Sequence, residues 1–281
     1  MTSDRPGAAP SPIPDRPPSR PIPLRVADYW TQVFAVADAE IRKLRHDPWE
    51  LATRAIQPVL WLVLFGNVMA RVRGLASGGI PYLDFLAPGI LAQSVLFVAI
   101  FYGISAIWER DLGVLHRYMV SPAPRSALVV GKALSSSVRG LSQAIVIYVC
   151  AAVIGVKLSL DPAHFVVVVL LIVLGSGLFS TFSLIIACIV KTRERFMGIG
   201  QVLTMPIFFA SNAIYPIDLM PQWLKVVSRL NPLSYEVDGL RAMMLQGGAS
   251  TLGLGRDFAA LTLASAIVTV IATRMYPRMT E

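Results

Sequence analysis

The segment 165–190 reads FVVVVLLIVLGSGLFSTFSLIIACIV, 26 residues without a charged side chain. A helix needs roughly 20 apolar residues to cross the hydrocarbon core of a bilayer, within a range of about 17–25. The segment is therefore predicted to span a membrane as a helix. Its Gly175, Ser176 and Gly177 are small, which favours close packing against neighbouring membrane helices over contact with a ligand.

Five further uncharged intervals lie at 55–70, 85–108, 140–156, 196–217 and 258–273, with lengths of 16, 24, 17, 22 and 16 residues. The second and fourth are long enough to span alone, whereas the others need flanking Lys or Arg side chains that reach the headgroups. Charged residues make up only 15% of the 281 residues, and hydrophobic residues make up 55%. The sequence thus predicts an all-α membrane protein with six transmembrane helices.

The basic residues indicate an orientation for these helices. With six spans both termini lie on one side, and placing them in the cytoplasm puts 17 of the 25 Lys and Arg residues inside and seven outside. Cytoplasmic loops carry an excess of Lys and Arg, so both termini are predicted to be cytoplasmic. The same rule accounts for the net charge of +8 without a nucleic-acid partner.

The N-terminal part of the chain has two different characters. Residues 1–27 form a proline-rich arm, with eight prolines among the first 25 residues, and are predicted to be a disordered cytoplasmic arm. In residues 28–45, apolar side chains recur at helical spacing, and Trp30, Val33 and Phe34 are among them. This pattern is typical of an amphipathic helix in the membrane interface, and a simple anchor for the first span is the alternative.

The loop between the second and third predicted spans reads ERDLGVLHRYMVSPAP over 109–124. Leu112, Leu115 and Met119 share one face of a short helix, predicted over 109–120, and Ser121 and Pro122 stop it. Such a short helix is unstable alone because helix nucleation is costly. Either the ends of the spans or a partner surface must therefore stabilise it.

Two short amphipathic helices are predicted after the fifth span. The first has an apolar stripe of Met220, Trp223, Leu224, Val227 and Leu230, and the second has one of Leu233, Val237, Leu240 and Met244. Asn231 and Pro232 are suited to begin the second helix, and Gly247 and Gly248 are suited to end it. Both helices are below spanning length, which favours re-entrant or interfacial elements on the outer side.

The sequence carries no recognisable catalytic machinery. Gly131 and Lys132 are followed by Ala133 and so do not form a phosphate-binding loop, and the three histidines are scattered over loops without metal-ligand spacing. No ionisable residue lies near the middle of a predicted span, apart from Arg139 near one end, which argues against an ion-coupled carrier. A transport protein of this kind would take its energy from a partner, and the helix 109–120 is where that partner could act.

Two motifs resemble those of type-2 ATP-binding-cassette (ABC) exporter permeases, a family that includes daunorubicin-resistance and nodulation-factor permeases. One reads FFASNAIYPIDLMPQWL and continues to NPLSYEVDGLR over 208–241, and the other reads WERDLGVLHRYMVSPAPR over 108–125. The resemblance extends from about residue 28 to 275, so that 28–281 would form one transmembrane domain. It implies a cytoplasmic coupling helix at 109–120, an interfacial connecting helix at 28–45 and two outer re-entrant helices.

The resemblance also implies partners. Two permease chains, identical or related, would form the pore in a bacterial cell membrane, and two copies of an ABC ATPase subunit would bind beneath them. ATP and Mg²⁺ would bind that subunit, so this chain would hold no cofactor and would not be an enzyme.

Residue roles follow from the same resemblance. The residues implied in ATPase coupling are Glu109, Arg110, Gly113, Arg117 and Pro122. Those implied in the outer gate are Asn212, Tyr215, Pro216, Pro221, Trp223, Asn231, Pro232 and Tyr235. Those implied in the substrate path, along spans 1, 2 and 5, are Gln93, Phe97, Phe101, Phe208, Phe209 and Asn212.

The expected function is ATP-driven export of a hydrophobic or amphipathic compound, such as a drug-like metabolite or a lipid, because uncharged aromatic spans can accept such a molecule from the bilayer. Export of a polysaccharide or glycolipid is the alternative, and it would favour a path of aromatic and polar residues. A lipid-modifying membrane enzyme is a remote third hypothesis. It would need clustered carboxylate, His or Cys side chains, and the group at 109–111 has no such partners in sequence.

Overall fold

The computed structural model describes residues 29–35, 38, 42, 48–71, 80–113, 125–190 and 192–276. Helices dominate these residues. They are α1 (Pro48–Leu60), α2 (Tyr82–Asp111), α3 (Arg125–Val153), α4 (Pro162–Ile189), α5 (Arg193–Phe209), α6 (Gln222–Leu230), α7 (Pro232–Met244) and α8 (Leu254–Met275). The all-helical prediction is confirmed. The predicted arm at 1–27 lies outside the described residues, and the described residues of 28–45 are helical, with Trp30 and Phe34 exposed.

Within the described part of the chain, four helices are long and apolar enough to cross a membrane: α2, α3, α4 and α8. Two of them correspond to the short uncharged intervals 140–156 and 258–273. Those helices are longer than the intervals because they continue through charged residues: α3 includes Lys132 and Arg139, both buried. The length of an uncharged interval is therefore shorter than the length of the helix when a charged side chain of that helix is paired inside the bundle.

The interval 196–217 gives the opposite result. The prediction of one continuous helix there is wrong, because α5 has 17 residues and ends at Phe209. Ser211 follows, and its side chain accepts a hydrogen bond from the Ala213 amide (3.3 Å) and donates one to the Phe208 carbonyl (2.7 Å). Serine side chains compete in this way for backbone groups that a helix would otherwise use, and the chain turns.

The first helix is irregular. Pro58 lies inside α1, which runs on through a π-helical turn at Trp61–Phe65 into Gly66–Met69. Proline has no amide hydrogen to donate within a helix, and π-helical turns commonly accompany such interruptions. The segment is therefore helical throughout, but it is not one regular α-helix.

Helix α4 lies at the centre of the bundle and contacts α2, α3, α7 and α8. Small residues make these contacts possible. A side chain at Gly140 of α3 would collide with the Ser176 hydroxyl of α4, and one at Gly103 of α2 would collide with that of Ser183. The predicted role of the Gly and Ser clusters in close helix packing is confirmed.

The two predicted short helices are present as α6 and α7. The Asn231 side chain caps α7 by accepting a hydrogen bond from the Leu233 amide (3.0 Å), as its sequence predicted. The apolar stripe of α7 is buried, whereas Trp223 and Leu230 of α6 are exposed. At the end of α7, main-chain hydrogen bonds join the chain to the α3–α4 loop, from the Ser159 amide to Met244 (2.8 Å) and from the Gln246 amide to Lys157 (2.9 Å).

The prediction of a helix over 109–120 is wrong at its start. Glu109, Arg110 and Asp111 form the last turn of α2 instead. Gly113 has a φ of 70°, the left-handed conformation in which glycine commonly ends a helix. The remainder of the loop, 114–124, lies outside the described residues.

The bundle has two ends. The Glu109 end contains the last turns of α2, α4 and α8 and the first turns of α3 and α5. The Arg241 end contains the opposite ends of these helices together with α6 and α7.

Candidate functional sites

A groove lies between α1, α2 and α5 on the side of the bundle. It encloses a cavity of about 300 Å³. Three of the predicted substrate-path residues, Gln93, Phe97 and Phe101, line it from α2. The other lining residues are Thr53, Arg54, Gln57, Pro58, Ser94, Val98 and Gln201.

The lining of this groove is chemically mixed. Phe97 and Phe101 offer ring faces 6.2 Å apart between centroids, and three glutamines offer amide groups. The Oε1 atom of Gln93 is buried and has no hydrogen-bond partner among the described residues. A buried amide oxygen without a donor costs free energy, so the groove suits a ligand that supplies one. The lining is more polar than the uncharged aromatic spans suggest.

The Glu109 end contains a buried ion pair. Lys132 Nζ of α3 lies 2.6 Å from Glu109 Oε2 of α2, and the two side chains are 2% and 7% exposed. The buried Tyr276, after α8, interacts electrostatically with both members of the pair. The ring of Tyr102 lies between the cations, 5.9 Å from Lys132 Nζ and 4.8 Å from the Arg139 guanidinium. These contacts join three helices at the end where α2 stops.

A second link at the Glu109 end is exposed. Arg193, in the first turn of α5, places Nη2 2.9 Å from Asp111 Oδ2, and its guanidinium lies 3.5 Å from the centroid of the Trp108 ring. Arg110 also approaches Asp111, at 3.2 Å. The last turn of α2 is thus joined to both α3 and α5.

The Arg241 end is organised by hydrogen bonds to backbone carbonyls. Arg241 of α7 is buried and donates to the carbonyls of Asn212 (2.9 Å) and Phe85 (3.3 Å), and its guanidinium lies 3.8 Å from the Phe85 ring centroid. Burial lowers the pKa of Arg241 to about 10, opposed by the nearby Asp238 carboxylate, so the guanidinium stays charged at neutral pH. A cavity of about 650 Å³ lies beside it, lined by Asn212, Pro216, Arg229 and Gln246 among others.

Several predicted gate residues make hydrogen bonds at this end. Tyr235 donates to the Arg229 carbonyl (2.7 Å), Tyr215 donates to the Phe209 carbonyl, and the side-chain Nδ2 of Asn231 donates to the Ile207 carbonyl (2.6 Å). These bonds connect α5, α6 and α7 through side chains that each reach a main-chain carbonyl.

Comparison with known proteins identifies the family. The ABC-2 type transporter family profile matches residues 31–245. The chain belongs to the ABC-2 type transporter family. It is 30% identical to ycf38 of Cyanophora paradoxa, a candidate transport permease, over 75% of this chain and 73% of that protein. It is 26% identical to the inner membrane transport permease YadH of Escherichia coli (76% and 82%) and 25% identical to the daunorubicin resistance ABC transporter permease DrrB1 of Streptomyces coeruleorubidus (71% and 70%).

Membership explains the missing catalytic machinery. ABC-2 permeases are transport subunits rather than enzymes, and the family implies association with an ABC ATPase subunit. The relatives are transport permeases, one of them an inner membrane protein, and the four apolar helices of this ABC-2 chain agree with a membrane location.

The structure separates the predicted site residues of the ABC-2 chain. Phe208 is fully buried against Trp61 and Phe209, so it lies in the core rather than in the groove. Asn212 lies at the Arg241 end, beside the larger cavity. Pro216, Pro221 and Pro232 occupy helix starts, and Trp223 is 69% exposed. Of the predicted coupling residues, Arg117 and Pro122 lie outside the described residues.

One buried acid of α7 was not predicted from the sequence of this ABC-2 chain. Glu236 is fully buried, neither carboxyl oxygen has a partner among the described residues, and a side chain at Gly175 would collide with it. Gly175 is the fourteenth of the 28 residues of α4, so Glu236 is level with the middle of that helix. Glu236 follows Leu233 by three residues and so lies on the apolar face of α7. That spacing was the signal in the sequence from which its burial could have been predicted.

Proposed function

We propose that this chain is the pore-forming permease of an ATP-driven exporter, working as one of two permease chains above two ABC ATPase subunits. In this proposal α1 and α5 join the four longer helices to make six spans. The Glu109 end faces the cytoplasm and the Arg241 end faces outward. The groove between α1, α2 and α5 is the observation that carries the proposal, since it offers a mixed lining on the flank of a membrane bundle.

The proposed spans are compatible with their lengths. At about 1.5 Å per residue, the 17 residues of α5 extend about 26 Å. A bilayer adapts to a span that is a few ångströms short, at modest cost. Exposed apolar side chains continue along both sides of the groove, including Leu60 and Leu64 after Gln57 and Val202 beside Gln201. Lipid or the second permease chain would cover them.

The proposed coupling route begins at the last turn of α2. A force on the loop that follows Gly113 would reach Glu109, and the 2.6 Å contact to Lys132 would carry it to α3. The Asp111–Arg193 contact would carry it to α5, which forms one wall of the groove. Glu109 therefore acts inside the permease in this proposal, whereas Arg110 and the loop that follows Gly113 would meet the ATPase.

The proposed substrate is an amphipathic compound. Its apolar part would lie against Phe97 and Phe101, and its polar part would bond with the glutamine amides. Arg54 also lies in the lining, on the α1 side of the groove.

Export of a glycolipid or polysaccharide is the second candidate. Sugars stack on aromatic rings and hydrogen-bond with amides, and the groove supplies both in Phe97, Phe101, Gln57, Gln93 and Gln201. This lining favours the second candidate more than the uncharged spans suggested.

The test is ATP-dependent transport in proteoliposomes containing the permease and its ATPase subunit. A fluorescent cationic or anionic amphiphile and a short-chain glycolipid serve as separate substrates. Gln93→Leu should slow transport of the true substrate by about threefold to tenfold, because one hydrogen bond is lost. Phe97→Ala should slow transport further, whereas Gln222→Leu and Phe165→Ala, at exposed positions outside the groove, should leave the rate unchanged.

The outcomes are distinct. If Gln93→Leu and Phe97→Ala slow transport of the glycolipid alone, the second candidate is selected. If they slow transport of the amphiphile alone, the first candidate is selected. Transport that is independent of ATP, or equal in all four variants, would contradict the proposed function.

A further inference from the structure

Two buried carboxyl groups meet a single hydroxyl at the Arg241 end. Ser250 Oγ lies 2.7 Å from Asp238 Oδ2 of α7 and 3.0 Å from Asp257 Oδ2 in the first turn of α8. Both aspartates are 0% exposed. The amide of Gly253 lies 2.7 Å from the same Ser250 oxygen. One oxygen atom thus has three close polar neighbours, two of which belong to acids.

The number of hydrogens decides how these contacts are made. A serine hydroxyl donates one hydrogen and accepts up to two. Asp238 also accepts hydrogen bonds from Thr251 Oγ1 (2.6 Å) and the Leu252 amide (2.9 Å), as an ionised carboxylate does. The hydroxyl hydrogen of Ser250 therefore goes to Asp238, its shorter contact. Gly253 donates to Ser250, and the contact with Asp257 is left with two oxygens and no hydrogen unless Asp257 carries one.

We propose that Asp238, Ser250 and Asp257 share one acidic proton, which fastens α7 to the start of α8. With the proton on Asp257 Oδ2, that carboxyl donates to Ser250, Ser250 donates to Asp238, and Gly253 donates to Ser250. The hydroxyl then donates once and accepts twice, so all its capacity is used. Two like-charged carboxylates on either side of one hydroxyl would repel, and sharing a proton is how such pairs are stabilised.

The charges around the pair support a single proton. Arg241, one turn further along α7, interacts electrostatically with Asp238, so one negative charge is balanced. A second carboxylate, at Asp257, would not be balanced by its neighbour Arg256, whose side chain is exposed. Other ionisable groups on the elements packed against α7 and α8 include Glu236 against Gly175, Asp84 near the Lys157 amide, and His164 bonded to Ser159. Lys225 and Arg229 lie on α6, and Lys157 lies in the α3–α4 loop with its side chain exposed.

Loss of the proton would loosen the join between α7 and α8. Asp257 would lose the hydrogen bond that it donates to Ser250, and its charged oxygen would repel the Ser250 oxygen, while Asp238 would keep its bonds from Ser250, Thr251 and Leu252. Helix α7 carries Pro232 and Tyr235 of the proposed outer gate, so outer pH would regulate that gate. This last step alone rests on the proposed function.

The proton can be observed directly. Infrared difference spectra of the full-length permease in lipid nanodiscs, recorded from about pH 5 to about pH 9, should show a protonated carboxyl band that disappears as the pH rises. The band should be missing in Asp257→Asn and retained in Asp218→Asn, an exposed aspartate at the same end. Glu236→Gln identifies the separate band of that buried acid.

Thermal unfolding of the same samples measures the role of the proton. Between about pH 5 and about pH 9, the unfolding temperature of the unmodified chain should fall by about 2–4 °C more than that of Asp257→Asn. Asp257→Asn keeps a donor toward Ser250 and should retain the stability found at low pH. Ser250→Ala, which removes the bridge, should be less stable throughout.

Three results would overturn the proposal. They are an unchanged carboxyl band in Asp257→Asn, an equal pH dependence in Asp257→Asn and the unmodified chain, and stabilisation by added Na⁺ or Ca²⁺ in place of the pH effect. Failure of ATP-dependent export in the unmodified chain would count against the proposed function and would leave the infrared band untouched.

Discussion

The two ends of the bundle bury charge in different ways. At the Glu109 end an acid and a base on different helices meet directly, at 2.6 Å. At the Arg241 end the buried guanidinium bonds to main-chain carbonyls, and the buried aspartate bonds to the hydroxyls and amide of a loop. One end therefore joins helices through opposite charges, and the other joins helices and connecting segments through main-chain groups and hydroxyls.

The difference bears on movement. A direct ion pair between two helices requires both partners to move together, because a separated buried charge is costly. Bonds from a side chain to a connecting segment allow the segment to shift while the bonds persist. The Glu109 end is thus suited to transmit a displacement, and the Arg241 end is suited to yield to one.

Breaking the direct pair should have the largest effect. Lys132→Met leaves Glu109 buried without its cation, so the free energy of unfolding should fall by about 3–5 kcal/mol. Thermal unfolding in nanodiscs measures the loss. The double variant Lys132→Met with Glu109→Leu should recover most of it, because no charge is then left unpaired. Equal stability of Lys132→Met and the unmodified chain would contradict a rigid joint here.

Changing the guanidinium at the other end should have a smaller effect. Lysine at position 241 keeps the charge but cannot reach both carbonyls and cover the Phe85 ring, so Arg241→Lys should cost about 1.5–3 kcal/mol. Arg229→Lys is the matched control, since Arg229 is exposed on α6. Chemical unfolding followed by intrinsic fluorescence would measure both. A similar loss in the control would show that geometry at position 241 is unimportant.

The contact of Glu236 with α4 should be sensitive to one methyl group. In Gly175→Ala the new methyl group would collide with the Glu236 carboxyl, and crowding of this kind costs about 1–3 kcal/mol. In Gly177→Ala the nearest atom to the new methyl group would be 3.8 Å away, so that variant should be neutral. Adding Glu236→Ala to Gly175→Ala should restore stability. No difference between the two alanine variants in thermal unfolding would refute the contact.

The exposed pair at the Glu109 end should matter least. Arg193→Gln removes the contacts to Asp111 and Trp108, but exposed pairs contribute only about 0.2–1 kcal/mol and are screened by salt. The loss should shrink further when unfolding is measured at high ionic strength. If Arg193→Gln lowered the free energy of unfolding as much as Lys132→Met does, the proposed difference between buried and exposed ion pairs would be contradicted.

Local patterns predicted much of this architecture. The apolar length of 165–190 predicted α4, and Asn231 followed by Pro232 predicted the start of α7, because both signals act within a few residues. The length of α3 could not be predicted from uncharged intervals, since it depends on Lys132 finding Glu109, 23 residues away. The early end of α5 depends on the serine at 211, a local signal that apolar length conceals.

The candidate sites were less predictable. Gln93, Phe97 and Phe101 share the groove as expected, but Gln57 and Gln201 join them only through the packing of α1 and α5. Glu109 was expected to face a partner, and its burial follows from a residue on another helix. The proton-sharing pair required Asp238 and Asp257, which lie in different helices, and a loop hydroxyl between them. Such arrangements depend on tertiary contacts that no short motif contains.

The join between the end of α7 and the α3–α4 loop is made by main-chain atoms, and this gives it a practical use. Amides and carbonyls are present whatever side chain a position carries, so substitution there leaves the hydrogen bonds in place. Lys157 and Gln246 are both exposed, and their backbones form the main-chain bond, while the Gln246 side chain adds a bond to the Leu158 carbonyl (2.9 Å) that a label would remove. Spin labels attached at these two positions would keep a constant separation during turnover and would serve as an internal ruler for distances measured elsewhere in the permease.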